Sequence, residues 1–121
     1  MTIKGIGTDI IEIDRIRKAV NRKKQAFLEK LFTKNEIAYC NKYKDPIPHF
    51  AARFAAKEAV VKAFGTGFGK LSFHDIEIIN NEKGKPFVRL SPELSKKYKN
   101  HQIEISISHS DSYAIAYVVI F

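Results

Sequence analysis

Apolar positions along this chain change period several times, and each change marks an element. Residues 3–11 alternate as a strand does, with Ile6, Thr8 and Ile10 on one side and Gly5, Gly7, Asp9 and Ile11 on the other. Asp14 is placed to cap a helix. In that helix Ile13, Ile16 and Val20 make the apolar stripe, and Arg15, Lys18 and Arg22 share another face. A second short helix over 25–31 turns Phe27, Leu28 and Leu31 inward. Thr33 followed by Glu36 predicts a capping box and a helix to about Tyr43, with Ile37, Cys40 and Tyr43 as its inner face.

A proline-bearing connector over 44–48 leads to the stretch that organises the chain, a long helix over 50–69 ending in a glycine-rich turn. Pro48 stands where a helix can begin, and Gly65 where one stops. Ala52, Ala55, Ala56, Ala59 and Ala63 form a smooth side able to lie close against a sheet. Phe54, Glu58, Lys62 and Gly65 line up beside it. Glu58 and Lys62 also fit an ordinary exposed pair one turn apart, worth about 0.2–0.5 kcal/mol.

Beyond the turn the period becomes two. Residues 73–80 and 86–90 read as strands joined by a turn at Gly84, and Ser91-Pro92-Glu93 starts a helix over 92–99. Ile103, Ile105 and Ile107 alternate with polar residues up to Ser108-His109-Ser110. The last strand, 113–121, is apolar on both faces, which suits a central strand or one covered by another subunit. The order predicts one α+β domain over 1–121, with a largely antiparallel sheet packed against the long helix.

Composition narrows the class. Hydrophobic residues are 45% and charged residues 28% of the 121, as in an ordinary globular domain. One cysteine, Cys40, excludes an internal disulfide and fits a reducing, cytoplasmic setting; it reads as a core residue. No apolar run approaches a membrane span and no secretory leader pattern opens the chain. The net charge of +8 favours an anionic partner without choosing one. GTGFGKLS fails as a phosphate-binding loop of the Walker type, because Phe64 and Leu71 stand where glycine and a hydroxyl residue are required. A non-catalytic nucleic-acid-binding module would use the charge, but it leaves Asp9 and Glu58 without purpose, and the basic helix lacks interleaved aromatics.

Four blocks are specific together: GIGTDIIEIDRI at 5–16, LFTKNEIAYC at 31–40, RFAAKEAVVKAFGTGFG at 53–69 and ISISHSDSYAIAYVV at 105–119. The set resembles the holo-[acyl-carrier-protein] synthase family, the small bacterial type of 4′-phosphopantetheinyl transferase. The resemblance implies transfer of 4′-phosphopantetheine from coenzyme A to a serine of apo acyl carrier protein, for fatty acid biosynthesis. It also implies Mg²⁺, release of adenosine 3′,5′-bisphosphate, and a homotrimer with active sites in clefts between subunits. It makes Asp9 and Glu58 the metal ligands, and Lys62, Gly65, Arg53, Pro86 and His109 contacts for coenzyme A. Nucleic acid and membrane are not expected as partners.

The chemistry of these residues agrees with the resemblance. Two carboxylates suit Mg²⁺, which binds one or two acids and completes its shell with phosphates and water. Glu58, directly or through a water, is one candidate base for the acceptor hydroxyl, and Asp9 with a water is the other. Lys62 can meet a pyrophosphate as a point charge. Arg53 leaves the helix on a different side from Glu58, which suits a neighbouring cleft. Arg15, Lys18 and Arg22 are the expected dock for the acidic carrier protein.

Overall fold

Two glycines set how the layers of the computed structural model meet. The structure describes residues 2–67 and 71–121. Strand β1 (Gly5–Glu12) points Gly5 and Gly7 at helix α3 (Ile47–Phe64). A Cβ on Gly7 would lie 1.9 Å from the carbonyl oxygen of Ala59, and one on Gly5 2.0 Å from that of Ala63. Only a strand face without side chains admits the alanine side of α3 so closely. The isoleucines of β1 consequently face away: Ile6 and Ile10 are more than 60% exposed.

The remaining elements are α1 (Ile13–Leu31), α2 (Lys34–Cys40), β2 (Ile76–Asn80), β3 (Pro86–Leu90), α4 (Pro92–Lys97), β4 (Ile103–His109) and β5 (Tyr113–Ile120). Every strand pairing is antiparallel, but the strands divide into two sheets, β1–β5–β4 and β2–β3, rather than forming one. β5 is the central strand of the larger sheet, and of its two apolar faces only one is covered. Its inner residues Ala114, Ala116, Val118 and Ile120 are buried. Its outer residues Tyr113, Ile115 and Tyr117 are exposed beside Ile6 and Ile10.

Several boundaries differ from expectation for local reasons. β1 runs straight into α1 with no intervening residue, so Asp14 lies in the first turn and pairs with Lys18 at 3.0 Å instead of capping. Lys24, at φ 54° and ψ −139°, breaks α1 where a second short helix was expected to begin. α2 stops at Cys40; Tyr43 therefore falls outside its inner face and is 42% exposed. α3 starts at Ile47, earlier than Phe50, because Asp45 accepts the Ile47 amide at 3.2 Å. Residues 73–75 form a short 3-10 turn, capped reciprocally by Ser72 and Asp75, so the strand starts only at Ile76.

The capping box of Thr33 and Glu36 is present, and Gly65 closes α3 in the left-handed conformation at φ 76°. Gly69 and the rest of 68–70 lie outside the described residues. Cys40 is fully buried, and burial pushes its thiol up to about 12, the state of an unreactive core residue.

α3 joins two cores. Toward its C-terminal end Ala55, Ala56, Ala59, Val60 and Ala63 pack on Ile76, Ile105, Ala116 and Val118. Toward its start Phe50, Ala51 and Ala52 pack on Ile16, Leu31, Phe32 and Cys40. Between Phe50 and Ala63 every side chain is buried except Phe54, Glu58 and Lys62, one turn apart along a single line. Among the described residues no helix is long and apolar enough to cross a membrane.

Candidate active site

That open line of α3 runs beside β1 at Asp9. Lys62 does not pair with Glu58 as its spacing allows; it reaches across to β1, with its ammonium 3.0 Å from Asp9 Oδ1 and 3.1 Å from the Thr8 carbonyl oxygen. The Asp9 side chain is mostly covered (17% exposed), whereas Lys62 is half in solvent. Burial raises Glu58 above the ordinary carboxylate range; Asp9 adds to the rise and Lys62 opposes it. Glu58 is thus an acid whose charge burial and Asp9 disfavour and a nearby cation favours. Gly65 ends the helix one turn beyond Lys62, with open space where a Cβ would stand.

The donor set fits Mg²⁺ better than a transition metal. Among the described residues no group of three or more His, Cys, Asp or Glu is placed to hold an ion. Asp9 and Glu58 alone suit a hard cation whose shell is completed by phosphate oxygens and water.

Arg53, Pro86 and His109 lie elsewhere, joined through residues the sequence did not mark. Arg53 is buried, 4% exposed. Its guanidinium donates to Asn80 Oδ1 and lies 4.0 Å over the Tyr39 ring. Asn80 Nδ2 in turn donates to the Gly84 carbonyl oxygen at 2.9 Å, tying Arg53 to the hairpin turn before Pro86. His109, exposed at the end of β4, meets His49, which stacks on Tyr43. The expected site residues thus fall into two groups, on α3 residues five apart and about 140° apart around the helix.

The basic residues of α1 divide. Arg15 lines an apolar cleft of about 710 Å³ with Ile16, Phe27, Phe54 and Phe73, and Lys23 and Lys30 join it there. Lys18 is exposed and paired with Asp14, and Arg22 is exposed. Lys30 was not legible as a cleft residue, because the break at Lys24 changes the helical phase that periodicity extrapolates, whereas Lys23, before the break, lies seven residues from Ile16 on the same face.

The side chain most hidden from sequence reading is Lys57. It is fully buried, 2.7 Å from Glu36 Oε1, and also donates to the carbonyl oxygens of Leu31 (2.8 Å) and Phe73 (2.9 Å). Glu36 is equally buried and accepts the amides of Thr33 (2.8 Å) and Ile78 (2.9 Å).

Comparison with known proteins places this geometry. The family model described as the 4′-phosphopantetheinyl transferase superfamily matches residues 5–118. A holo-[acyl-carrier-protein] synthase of Protochlamydia amoebophila is 52% identical over 116 residues, 95% of each chain. One of Chlamydia felis is 51% identical over 120 residues, 98% of each. Among solved structures, the Bacillus anthracis holo-(acyl-carrier-protein) synthase in complex with CoA (3′,5′-ADP) superposes with a TM-score of 0.84 at 43% identity, covering 99% of this chain and 97% of that one. The Helicobacter pylori enzyme in complex with coenzyme A gives 0.86 at 45%, covering 96% and 99%. By sequence over nearly all of its residues and by fold, the chain belongs to the 4′-phosphopantetheinyl transferase superfamily, among the holo-[acyl-carrier-protein] synthases.

Proposed function

We propose that this protein transfers 4′-phosphopantetheine from coenzyme A to a serine of apo acyl carrier protein, releasing adenosine 3′,5′-bisphosphate and readying the carrier for fatty acid synthesis. The observation that carries the reading is the convergence of Asp9, Glu58 and Lys62 on one open line. Asp9 and Glu58 would hold Mg²⁺, which would supply charge to neutralise the pyrophosphate and favour departure of the nucleotide phosphate. Lys62 meets the same phosphates with the half of its side chain that reaches solvent. In the transfer, the serine oxygen bonds to the phosphorus on the pantetheine side. The bond from that phosphorus to the bridging oxygen breaks, and the electron pair leaves with the nucleotide. The serine proton goes to Glu58, directly or through a water; Asp9 with a water is the alternative acceptor.

The two groups of site residues support a homo-oligomer, and the resemblance supports a trimer. Glu58 and Arg53 leave α3 in different directions, so one donor molecule would engage Glu58 of one subunit and, on another, the surface that the buried Arg53 supports through Asn80 and Tyr39. The sheet face opposite α3 exposes Ile6, Ile10, Tyr113, Ile115 and Tyr117 together, an apolar patch of the kind that marks an interface. Arg15 and Arg22, with Lys18, are the dock for the acidic carrier, whose apolar side would enter the cleft beside Arg15 and Phe54. The test is mass spectrometry of apo acyl carrier protein incubated with this protein, coenzyme A and Mg²⁺. The carrier gains the mass of phosphopantetheine; an unchanged mass after prolonged incubation with active coenzyme A contradicts the reading.

A further inference from the structure

Tyr43, His49 and His109 come from three segments: the connector before α3, the first turn of α3 and the tip of β4. The His49 ring stacks on Tyr43, with centroids 3.5 Å apart and planes 18° from parallel. The His109 ring meets His49 edge to face, at 5.7 Å and 75°. His109 is exposed, and its ring nitrogen has a long 3.4 Å contact with the neighbouring Ser110 carbonyl oxygen, too weak to fix the ring. The other end of the stack is firmly held. The Tyr43 hydroxyl lies 3.0 Å from that of Tyr39, and Tyr39 carries the Arg53 guanidinium on its face. The connector bearing Tyr43 is pinned by Asp45, which takes both terminal nitrogens of Arg17 and the Ile47 amide.

We propose that His49, backed by Tyr43, is a positioning residue that fixes the ring of His109 for the nucleotide end of coenzyme A. It acts by packing rather than by charge. Burial, then His109 and then Arg53 push His49 below the ordinary imidazole range, against the pull of Asp45. The stack also connects the tip of β4 through Tyr39 and Arg53 to Asn80 and the Gly84 turn, so that the nucleotide-side residues move as one unit. The inference rests on the proposed function and on the resemblance that makes His109 a contact for coenzyme A; its place at the nucleotide end is part of the inference.

The test is calorimetric titration of 3′,5′-ADP into the full-length protein and its His109→Ala, His49→Ala, His49→Phe and doubly substituted (His49→Ala with His109→Ala) forms. Melting temperatures confirm that each is folded. His109→Ala is expected to weaken binding on the order of tenfold, and His49→Ala by a similar factor, with the double variant little worse than either, as for touching side chains. His49→Phe keeps the flat ring and restores most of the affinity. With coenzyme A and carrier, KM for coenzyme A rises in His49→Ala while kcat changes little. Full additivity, or a His49→Ala that binds normally while His109→Ala does not, overturns the inference. Normal binding by a folded His109→Ala overturns the assignment of His109, and this inference with it.

Discussion

Helix α3 carries two lysines five residues apart, each paired with a carboxylate from another element, and the pairs are completed to different degrees. Around Lys57 every polar capacity is used. The ammonium has Glu36 and the Leu31 and Phe73 carbonyl oxygens; the carboxylate has Lys57 and the Thr33 and Ile78 amides. Burial pushes Lys57 down from the ordinary lysine range and Glu36 pulls it back. Such a cluster joins α1, α2, α3 and β2 and offers nothing to a ligand. Around Lys62 the pair is open. Lys62 is half exposed, and Glu58 has no hydrogen-bond or ion-pair partner among the described residues, while burial raises its pKa. Polar capacity left unused at the surface is available to a ligand; capacity consumed in the core is architecture.

The open site should break with the larger loss of function and little loss of stability. Glu58→Gln and Asp9→Asn are each expected to lower turnover by roughly 10²–10⁴-fold, the range for losing proton transfer, while the denaturation midpoint stays near that of the parent. Steady-state assay under saturating Mg²⁺ decides it: near-normal turnover in either variant removes that carboxylate from the mechanism.

The closed site should behave in the opposite way. Lys57→Met leaves Glu36 buried without its cation, and removal of one partner of such a pair costs about 3–5 kcal/mol. Urea unfolding should show it, and Glu36→Leu added to Lys57→Met should recover part of the loss. A Lys57→Met protein as stable as the parent would mean that the buried pair does not brace the fold.

Gly7→Ala probes the contact that brings the two carboxylates together. Its methyl would meet the Ala59 carbonyl oxygen, forcing α3 off β1 at a cost of about 1–3 kcal/mol. Because Asp9 and Glu58 sit on the two separated elements, activity measured well below the melting point should fall too. A stable but weakly active Gly7→Ala protein would show that the spacing matters more to the site than to the fold.

The smallest expected effect is a pH dependence of stability from His49. Its folded pKa lies below the ordinary value near 6.5, because burial, His109 and Arg53 oppose its charge more than Asp45 favours it. Between those two values the unfolded chain binds more protons than the folded one. Stability from this group is therefore present above about pH 6.5 and declines as pH falls toward the folded pKa. His49→Phe should flatten the decline between pH 7 and 5 in thermal unfolding; an unchanged slope assigns it to other groups.

Much of this contrast could be read from sequence, but on one side only. Phe54, Glu58 and Lys62 share a line by helical spacing alone, and an aspartate in a strand just after two glycines is conspicuous because strands disfavour it. The alternation of β1 was equally legible, yet not which side faces inward. Hydrophobicity favours burying Ile6 and Ile10, and only the close approach of α3 makes Gly5 and Gly7 the inner positions. The Lys57–Glu36 pair was invisible because each member has a sufficient local explanation, a helix interior and a capping box, and they lie 21 residues apart. The Tyr43–His49–His109 stack was hidden for a similar reason: three segments meet there, and none shows a periodic signal for it.

The central claim, that the open pair with Glu58 is the metal–pyrophosphate site, is tested most directly by thermal unfolding with coenzyme A, with and without Mg²⁺, in the parent and in Asp9→Asn and Glu58→Gln. Ligand at about 100 times its dissociation constant stabilises by roughly 2.7 kcal/mol, a rise of several degrees for a domain of this size. The account predicts that Mg²⁺ enlarges the shift given by coenzyme A in the parent and that this increment disappears in both variants. An equal Mg²⁺-dependent increment in parent and variants would contradict it.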